Sequence, residues 1–242
     1  MYPVFKRELQ SFFASMMAYI SIGVFLLACA MLLWFFPDTS ILEYGYAEMN
    51  SFFSLVPFLF IFLVPAITMR AFAEERKEGT YVLLATRPLT DWQIILGKFF
   101  ACVILVLFAL LPTIIYVYSI YQLGMPQGNV DMGAVLGSYI GLFLLANTFV
   151  AIGIFTSSIT KNQVVAFSLS VFICFFAFSG FDSVSKLFDM DAIGVVLANL
   201  SASEHYQSLN RGVVDSRDLV YFFSFTALFL VATRWVIGER KW

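Results

Sequence analysis

The sequence predicts an all-α, polytopic membrane protein with six transmembrane helices. Of its 242 residues, 61% are hydrophobic and only 12% are charged, whereas soluble domains average about 25% charged residues. One soluble core of this length could not bury so much apolar surface, including 29 Phe, but lipid can solvate it. The net charge of −2 offers no basic excess for nucleic acid. We therefore expect membrane lipid around the chain and no nucleic-acid partner.

Six segments have the roughly 20 mostly apolar residues that a membrane-spanning helix requires. They are 18–36, 55–72, 99–121, 138–160, 164–181 and 219–237. The boundary between the fourth and fifth rests on the short turn 160–163, and one long hydrophobic helix is the alternative there. Two spans fit better, because 138–181 is far too long for a single crossing. Pro57, Pro65 and Pro112 fall inside spans, so neighbouring groups are expected to satisfy the carbonyls that they free.

The distribution of lysine and arginine predicts the orientation, because loops rich in these residues remain in the cytoplasm. The two termini and the loops on the same side carry eleven of the 14 Lys and Arg residues. The opposite loops carry three, all of them between spans five and six. Both termini are therefore expected in the cytoplasm.

The N-terminal segment predicts an amphipathic helix that lies at the cytoplasmic membrane interface before span one. Phe12 and Phe13 share one helical face with other apolar residues. Lys6 and Arg7 lie elsewhere on the helix, where they can face headgroups and water.

The segment between spans two and three predicts two helices that meet at a sharp break. Arg70 and Glu74 stand four residues apart, a spacing at which opposite charges stabilise a helix, so span two is expected to continue beyond the membrane. A short helix carrying Leu83 and Leu84 follows. Pro88 ends it, because the residue before a proline disfavours the helical conformation.

Span three is predicted to begin near Asp91, well before it enters the lipid. Thr90 is a suitable N-cap, and Gln93 three residues later completes a capping box. From Asp91 to Tyr121 the helix has 31 residues, which corresponds to about 46 Å at about 1.5 Å per residue. The hydrocarbon core is about 30 Å thick, so the first turns must project into the cytoplasm.

This cytoplasmic elbow resembles the coupling helix of the ABC-2 type permeases, and most of the chain resembles that family. The residues that carry the resemblance in the elbow are Glu74, Glu75, Arg76, Gly79, Thr80, Leu83, Leu84, Pro88, Leu89, Thr90, Ile94, Leu96, Gly97 and Lys98. Segment 5–20 resembles the interfacial N-terminal helix of the family, and 211–221 resembles the approach to its last span. Within the family, the chain most resembles the smaller membrane subunit of the gliding-motility-associated ABC transporters of Bacteroidetes-type bacteria.

The resemblance implies that residues 1–242 form a single permease domain, in a bacterial inner membrane, that does no chemistry itself. A separate ABC ATPase dimer is expected to bind ATP and Mg, so this chain binds no cofactor. The implied ATPase contact comprises Glu74, Glu75, Arg76, Gly79, Thr80, Leu83, Leu84 and Pro88. Six spans make half a translocation unit, which implies a second membrane subunit. A different, larger subunit is favoured, and a second copy of this chain is the alternative.

Nucleotide chemistry is also missing from the sequence itself. A phosphate-binding loop requires G-x-x-x-x-G-K-[ST], whereas Gly97-Lys98 lacks the first glycine and is followed by Phe99. ATP hydrolysis therefore has to come from a partner. The energy of ATP hydrolysis would drive export or the work of a machine in the cell envelope.

Two other classes of protein compete with a permease. An intramembrane enzyme needs paired catalytic groups, but the single histidine, His205, lies in an outer loop, so no catalytic or metal site is expected. A secondary transporter or channel that works without an ATPase normally carries charges at mid-membrane, and no charged residue falls there. Asn147, near the middle of span four, either marks a pathway or, more often, hydrogen-bonds between helices.

The outer segment between spans five and six, 182–218, is the one sizeable element on the other side of the membrane. Residues 192–199 are too few to span it and too apolar for free solvent. They are expected to form a short gate helix or a structural cap over the bundle. The acidic residues of this segment do not follow the spacing of a metal-binding loop.

Overall fold

The computed structural model describes residues 1–36, 49–80, 89–125, 128–186 and 192–238, and this part of the chain is all-α. Six helices are long and apolar enough to cross a membrane, as the sequence predicts. Spans one to six are Met16–Trp34, Asn50–Lys77, Asp91–Leu123, Met132–Ile159, Gln163–Ser185 and Ser216–Gly238. The break between spans four and five is confirmed, because helix stops at Ile159 and resumes at Gln163.

Three of the spans are interrupted. Span two consists of helices Asn50–Thr68 and Arg70–Lys77 on either side of Met69. Span three consists of Asp91–Leu110 and Ile114–Leu123, joined by a 3₁₀ turn at Pro112. Span five consists of Gln163–Phe175, a π-helical turn Phe176–Gly180 and Phe181–Ser185. Helix interruptions of this kind change the direction of an axis and often mark functional positions.

Span four lies at the centre of the bundle, in contact with spans two, three, five and six. Small residues allow this close packing. A Cβ atom placed on Gly153 would overlap the side chain of Thr68 in span two. A Cβ on Gly141 would lie 3.0 Å from Leu209 Cβ in the outer segment. Small residues at such crossings are typical of helix packing in membranes, where backbones approach closely.

Two short helices form the described part of the outer segment, Ala192–Asn199 and Ala202–Asn210, which we call the first and second outer helices. The second packs on span four. Its Tyr206 hydroxyl donates to the carbonyl of Phe53 at 2.7 Å. Pro57 has no N–H to offer that carbonyl, so the hydrogen bond confirms the expectation that a neighbour satisfies a group freed by proline.

An N-terminal helix, Tyr2–Ala14, precedes span one and packs along the start of span three. Its buried stripe is Val4, Glu8 and Phe12. Span three begins at Asp91 as predicted, and the Thr90 amide donates to Gln93 Oε1 at 3.3 Å, which supplies one half of the predicted capping box.

Candidate functional site at the basic end of the bundle

The side chain of Lys98 joins three helices at the end of the bundle that holds the N-terminal helix. Its side chain is only 1% exposed. The ammonium lies 2.8 Å from Glu8 Oε1 of the N-terminal helix and 3.1 Å from Glu75 Oε2 of span two. It also donates to the carbonyl of Ala71 at 2.6 Å and lies 5.0 Å from the Phe72 ring centroid. A buried ammonium is tolerated only with such partners.

Gly97 explains how Lys98 reaches Glu8. A Cβ on Gly97 would lie 3.1 Å from the Val4 Cβ, so a larger residue there would require the N-terminal helix to give by a few tenths of an ångström. Gly97 therefore allows the N-terminal helix to lie close to span three, and Lys98 supplies the charge that holds these two helices together. We call Glu8, Glu75, Lys98 and Arg7 the lysine network.

Arg7 completes this network from the surface. Its guanidinium donates to Glu75 Oε1 at 3.0 Å, and the Arg7 side chain is 57% exposed while that of Glu75 is 8% exposed. The carboxylate of Glu75 is thus held between one buried and one solvent-facing cation. It points into the protein, so in this conformation it links the N-terminal helix to spans two and three.

Arg70 fixes the junction between the N-terminal helix and span one. Its guanidinium donates to Ser15 Oγ at 2.7 Å, and Ser15 in turn caps span one by accepting from the Met17 amide at 3.3 Å. The predicted pair with Glu74 is present, with Nε and Oε2 3.6 Å apart. Arg70 therefore ties the extension of span two to the residue that caps span one.

Ser157 of span four stabilises the interruption in span two. Its hydroxyl accepts from the amides of Phe72 and Ala73 at 3.0 and 3.1 Å and donates to the Met69 carbonyl at 2.9 Å. Backbone groups freed at a helix break need such partners when they are buried. Sequence reasoning missed Ser157, because nothing distinguishes it from the other small polar residues of span four.

The remaining predicted elbow residues occupy different environments. Gly79 has φ +71°, a conformation that favours glycine, and ends the extension of span two. Thr80 Oγ1 donates to the Glu75 carbonyl at 3.4 Å. Arg76 is buried. The predicted contact residues Leu83, Leu84 and Pro88 lie outside the described residues.

The predicted interfacial residues divide between surface and core. Lys6 is exposed, whereas Phe12 is buried. Phe13 packs edge-on against Phe108 of span three, with ring centroids 5.3 Å apart. Asn147 is half-buried and donates to the Phe143 carbonyl of its own helix at 2.8 Å.

A polar cavity of about 390 Å³ opens beside the lysine network. Residues of the N-terminal helix, its junction with span one and the span-two extension line it, among them Arg7, Glu8, Ser15, Arg70, Glu74 and Glu75. In the described part of the chain, no three His, Cys, Asp or Glu residues are grouped so as to hold a metal ion.

Six candidate spans, with a buried cluster of charged side chains at one end, define a multi-pass helical membrane protein. The chain belongs to the ABC-2 family transporter proteins, whose family model matches residues 37–239. These are permease components of ABC transporters and have no ATPase activity of their own.

The curated relatives are "Probable multidrug ABC transporter permease YbhR" of Escherichia coli strain K12 and the protein of the same name in Escherichia coli O157:H7. Each is 26% identical over 140 residues, which is 58% of this chain and 34% of the relative. The match thus spans about a third of the length of these relatives.

Proposed function

We propose that this chain is one permease domain of an ABC transporter and that a separate ATPase dimer, which binds ATP and Mg, docks on its elbow. The observation that carries the proposal is the lysine network. It connects the N-terminal helix, the extension of span two and the start of span three directly beside the elbow. A push on the elbow would therefore move three elements together.

The lengths of spans two and three support docking at this position. At about 1.5 Å per residue, the 28 residues of span two and the 33 of span three measure about 42 and 50 Å. The hydrocarbon core is about 30 Å thick. Both helices exceed it, so part of each can project from the bilayer towards a soluble partner.

The proposed orientation places this end and both termini in the cytoplasm of a bacterial inner membrane. Eleven Lys and Arg residues lie on that side and three on the other. The N-terminal helix would then lie at the cytoplasmic interface, with Lys6 and Arg7 towards headgroups and water.

Among the predicted contact residues that the structure describes, Glu74, Gly79 and Thr80 are the least buried. Glu74 has a side chain 37% exposed, and Gly79 is exposed. Glu75 and Arg76 are buried, so we assign them to holding the elbow in position rather than to its outermost surface. Leu83, Leu84 and Pro88 complete the proposed contact by resemblance.

Site-specific crosslinking tests the docking site. A photoreactive amino acid at Thr80 should crosslink to an ABC ATPase in membranes, whereas one at exposed Glu204 at the opposite end of the bundle should not. Equal labelling from both positions, or labelling of other proteins only, would remove the docking assignment.

A second membrane subunit would complete the translocation unit. Spans one, five and six are the least covered by the rest of the chain, which leaves room for it. The resemblance of the chain to the smaller membrane subunit of gliding-motility-associated ABC transporters favours a different and larger second subunit over a homodimer. The Escherichia coli relatives, which are named as probable multidrug ABC transporter permeases, instead favour multidrug transport, and the identity of the second subunit distinguishes these two roles.

A further inference from the structure

Span four lies at the centre of the bundle, yet one strip of its surface is not covered. Leu136, Ile140, Phe143 and Asn147 follow each other at intervals of three or four residues, so they share one face of the helix. Leu136 and Ile140 are 65% and 44% exposed, and Phe143 and Asn147 are half-buried. We call these four residues the open strip. Three of them are apolar and suit lipid, whereas the carboxamide of Asn147 does not.

Spans three and six border the open strip on opposite sides. The Tyr139 hydroxyl lies 3.0 Å from Thr113 Oγ1 of span three, and Thr148 Oγ1 lies 3.2 Å from Thr226 Oγ1 of span six. Tyr139 and Thr148 are nine residues apart in the sequence. This is about two and a half helical turns, so the two side chains point to opposite sides of span four. The open strip lies between these two contacts.

The open strip ends at Asn147, because spans three and six come together beyond it. The same face of span four continues towards the lysine network with three residues that are fully buried: Ala151, Ile154 and Ser158. In that half of the bundle, helix Asp91–Leu110 of span three contacts span six. Past its 3₁₀ turn, span three contacts span one instead, where the Tyr116 hydroxyl donates to the Leu26 carbonyl at 3.1 Å.

The open strip has about the length of one membrane leaflet. From Leu136 to Asn147 the helix rises about 16 Å, at about 1.5 Å per residue. A hydrocarbon core about 30 Å thick gives about 15 Å to each leaflet. A helix of another subunit that crosses the membrane would continue past Asn147, where spans three and six close this face. A molecule that occupies a single leaflet matches the open part alone.

Asn147 places a hydrogen-bond acceptor at the closed end of the strip, near the middle of span four. Its Nδ2 donates to the Phe143 carbonyl at 2.8 Å, which holds the carboxamide on this face. That bond uses one of two N–H groups and leaves the carboxamide oxygen free to accept. Within the described segments this oxygen accepts no hydrogen bond. Lipid chains have no donor for it, so the oxygen requires an occupant that brings a hydroxyl, an amide or an ammonium.

We propose that the open strip is a binding site for a lipid-like amphiphile that has a hydrogen-bond donor in its polar part. The hydrocarbon part lies along Leu136, Ile140 and Phe143, and the donor bonds to Asn147 Oδ1. An amphiphile that changes leaflet has to take its polar part past the middle of the membrane, and Asn147 supplies a hydrogen bond at that point. In the proposed orientation the strip opens to the outer leaflet, so an exported molecule would leave the protein there. That direction rests on the proposed function, whereas the binding itself does not.

Photolabelling of full-length protein in lipid nanodiscs tests the site without an ATPase. The probe is a diacylglycerol, which has one free hydroxyl, with a diazirine in one acyl chain and an alkyne for detection. The control probe is its methyl ether, which has no donor. Mass spectrometry should find the diacylglycerol on the peptide that contains residues 136–147, and unlabelled diacylglycerol should compete. Half-maximal labelling should need about a two- to tenfold lower mole fraction of diacylglycerol than of the ether, the difference expected from one hydrogen bond.

The variant N147L removes the acceptor and keeps a side chain of similar size. It should raise the half-maximal mole fraction of diacylglycerol to that of the methyl ether. S168A is the matched control, because Ser168 also donates to a carbonyl four residues earlier, at 3.0 Å, on the exposed surface of span five. S168A should label like the wild type. Absence of label on residues 136–147, equal labelling by the two probes, or an N147L variant that labels like the wild type would overturn the proposal.

A photoreactive amino acid at Ile140 distinguishes this site from an interface between subunits. In native membranes we expect adducts of lipid size at Ile140 and no protein adduct. A crosslink to another membrane protein, or to a second copy of this chain, would overturn the amphiphile site without bearing on whether an ATPase drives the protein. Purification of the chain without an ATPase would instead remove the proposed function and leave the photolabelling result intact.

Discussion

Replacement of Lys98 by methionine should destabilise the protein strongly. Methionine keeps an unbranched apolar stem, one atom shorter than lysine, but removes the ammonium. Glu8 then loses its partner at 2.8 Å, and Glu75 keeps only the exposed Arg7. The remaining Glu8 and Glu75 carboxylates are 11% and 8% exposed. Removing one partner of a buried ion pair costs about 3–5 kcal/mol, so we expect a loss of this size in K98M.

The loss can be measured by equilibrium unfolding of full-length protein in mixed micelles. A double-mutant cycle with E8Q tests its cause, because E8Q/K98M leaves no unpaired charge at position 8. The two substitutions should be non-additive, with a coupling energy of about 0.5–3 kcal/mol. K186M is the matched control, since it removes an ammonium from a pair that is exposed at the opposite end of the bundle. K186M should leave the stability nearly unchanged, because exposed pairs contribute little.

Two results would refute this reasoning. If K98M unfolds with the same free energy as the wild type, Lys98 does not hold the three helices together. If E8Q and K98M are additive, the effect of K98M does not arise from the charge left on Glu8.

Two further predictions concern the packing of the bundle. G153A should lose about 1–3 kcal/mol of unfolding free energy, because the new methyl group overlaps span two. The control G23A should lose nothing, since among the described residues no atom beyond the backbone of its own helix lies within 4 Å of the new Cβ. Y206F should lose about 1–3 kcal/mol, because the buried carbonyl of Phe53 is left without a donor, whereas Y118F at an exposed position should not. Unfolding in the same micelles measures all four, and a variant as stable as its control would contradict the corresponding contact.

The sequence alone was sufficient to predict the six spans and the local features of the elbow. Six apolar runs, the break near residue 160 and the start of span three at Asp91 depend on composition and on neighbours within one helical turn. The Arg70–Glu74 pair is equally local. Such features are set by short-range preferences, which is why patterns predict them.

The lysine network could not be predicted in the same way. Glu8 and Lys98 are 90 residues apart in the sequence, and no local pattern pairs them. One signal was nevertheless present. Glu8 lies at helical spacing between Val4 and Phe12, inside an apolar stripe. A carboxylate in such a stripe indicates a buried partner, because an isolated buried charge is too costly.

The proteins that co-purify with the chain test most directly the proposal that it is a permease domain driven by a separate ATPase. The full-length chain, tagged and purified from membranes in mild detergent, should bring with it an ABC ATPase and a second membrane subunit identified by mass spectrometry. E74R should reduce recovery of the ATPase but not of the membrane subunit, and the control E204R should change neither. Recovery of the chain alone, together with ion-driven flux when it is placed in liposomes by itself, would contradict the account and indicate a secondary transporter.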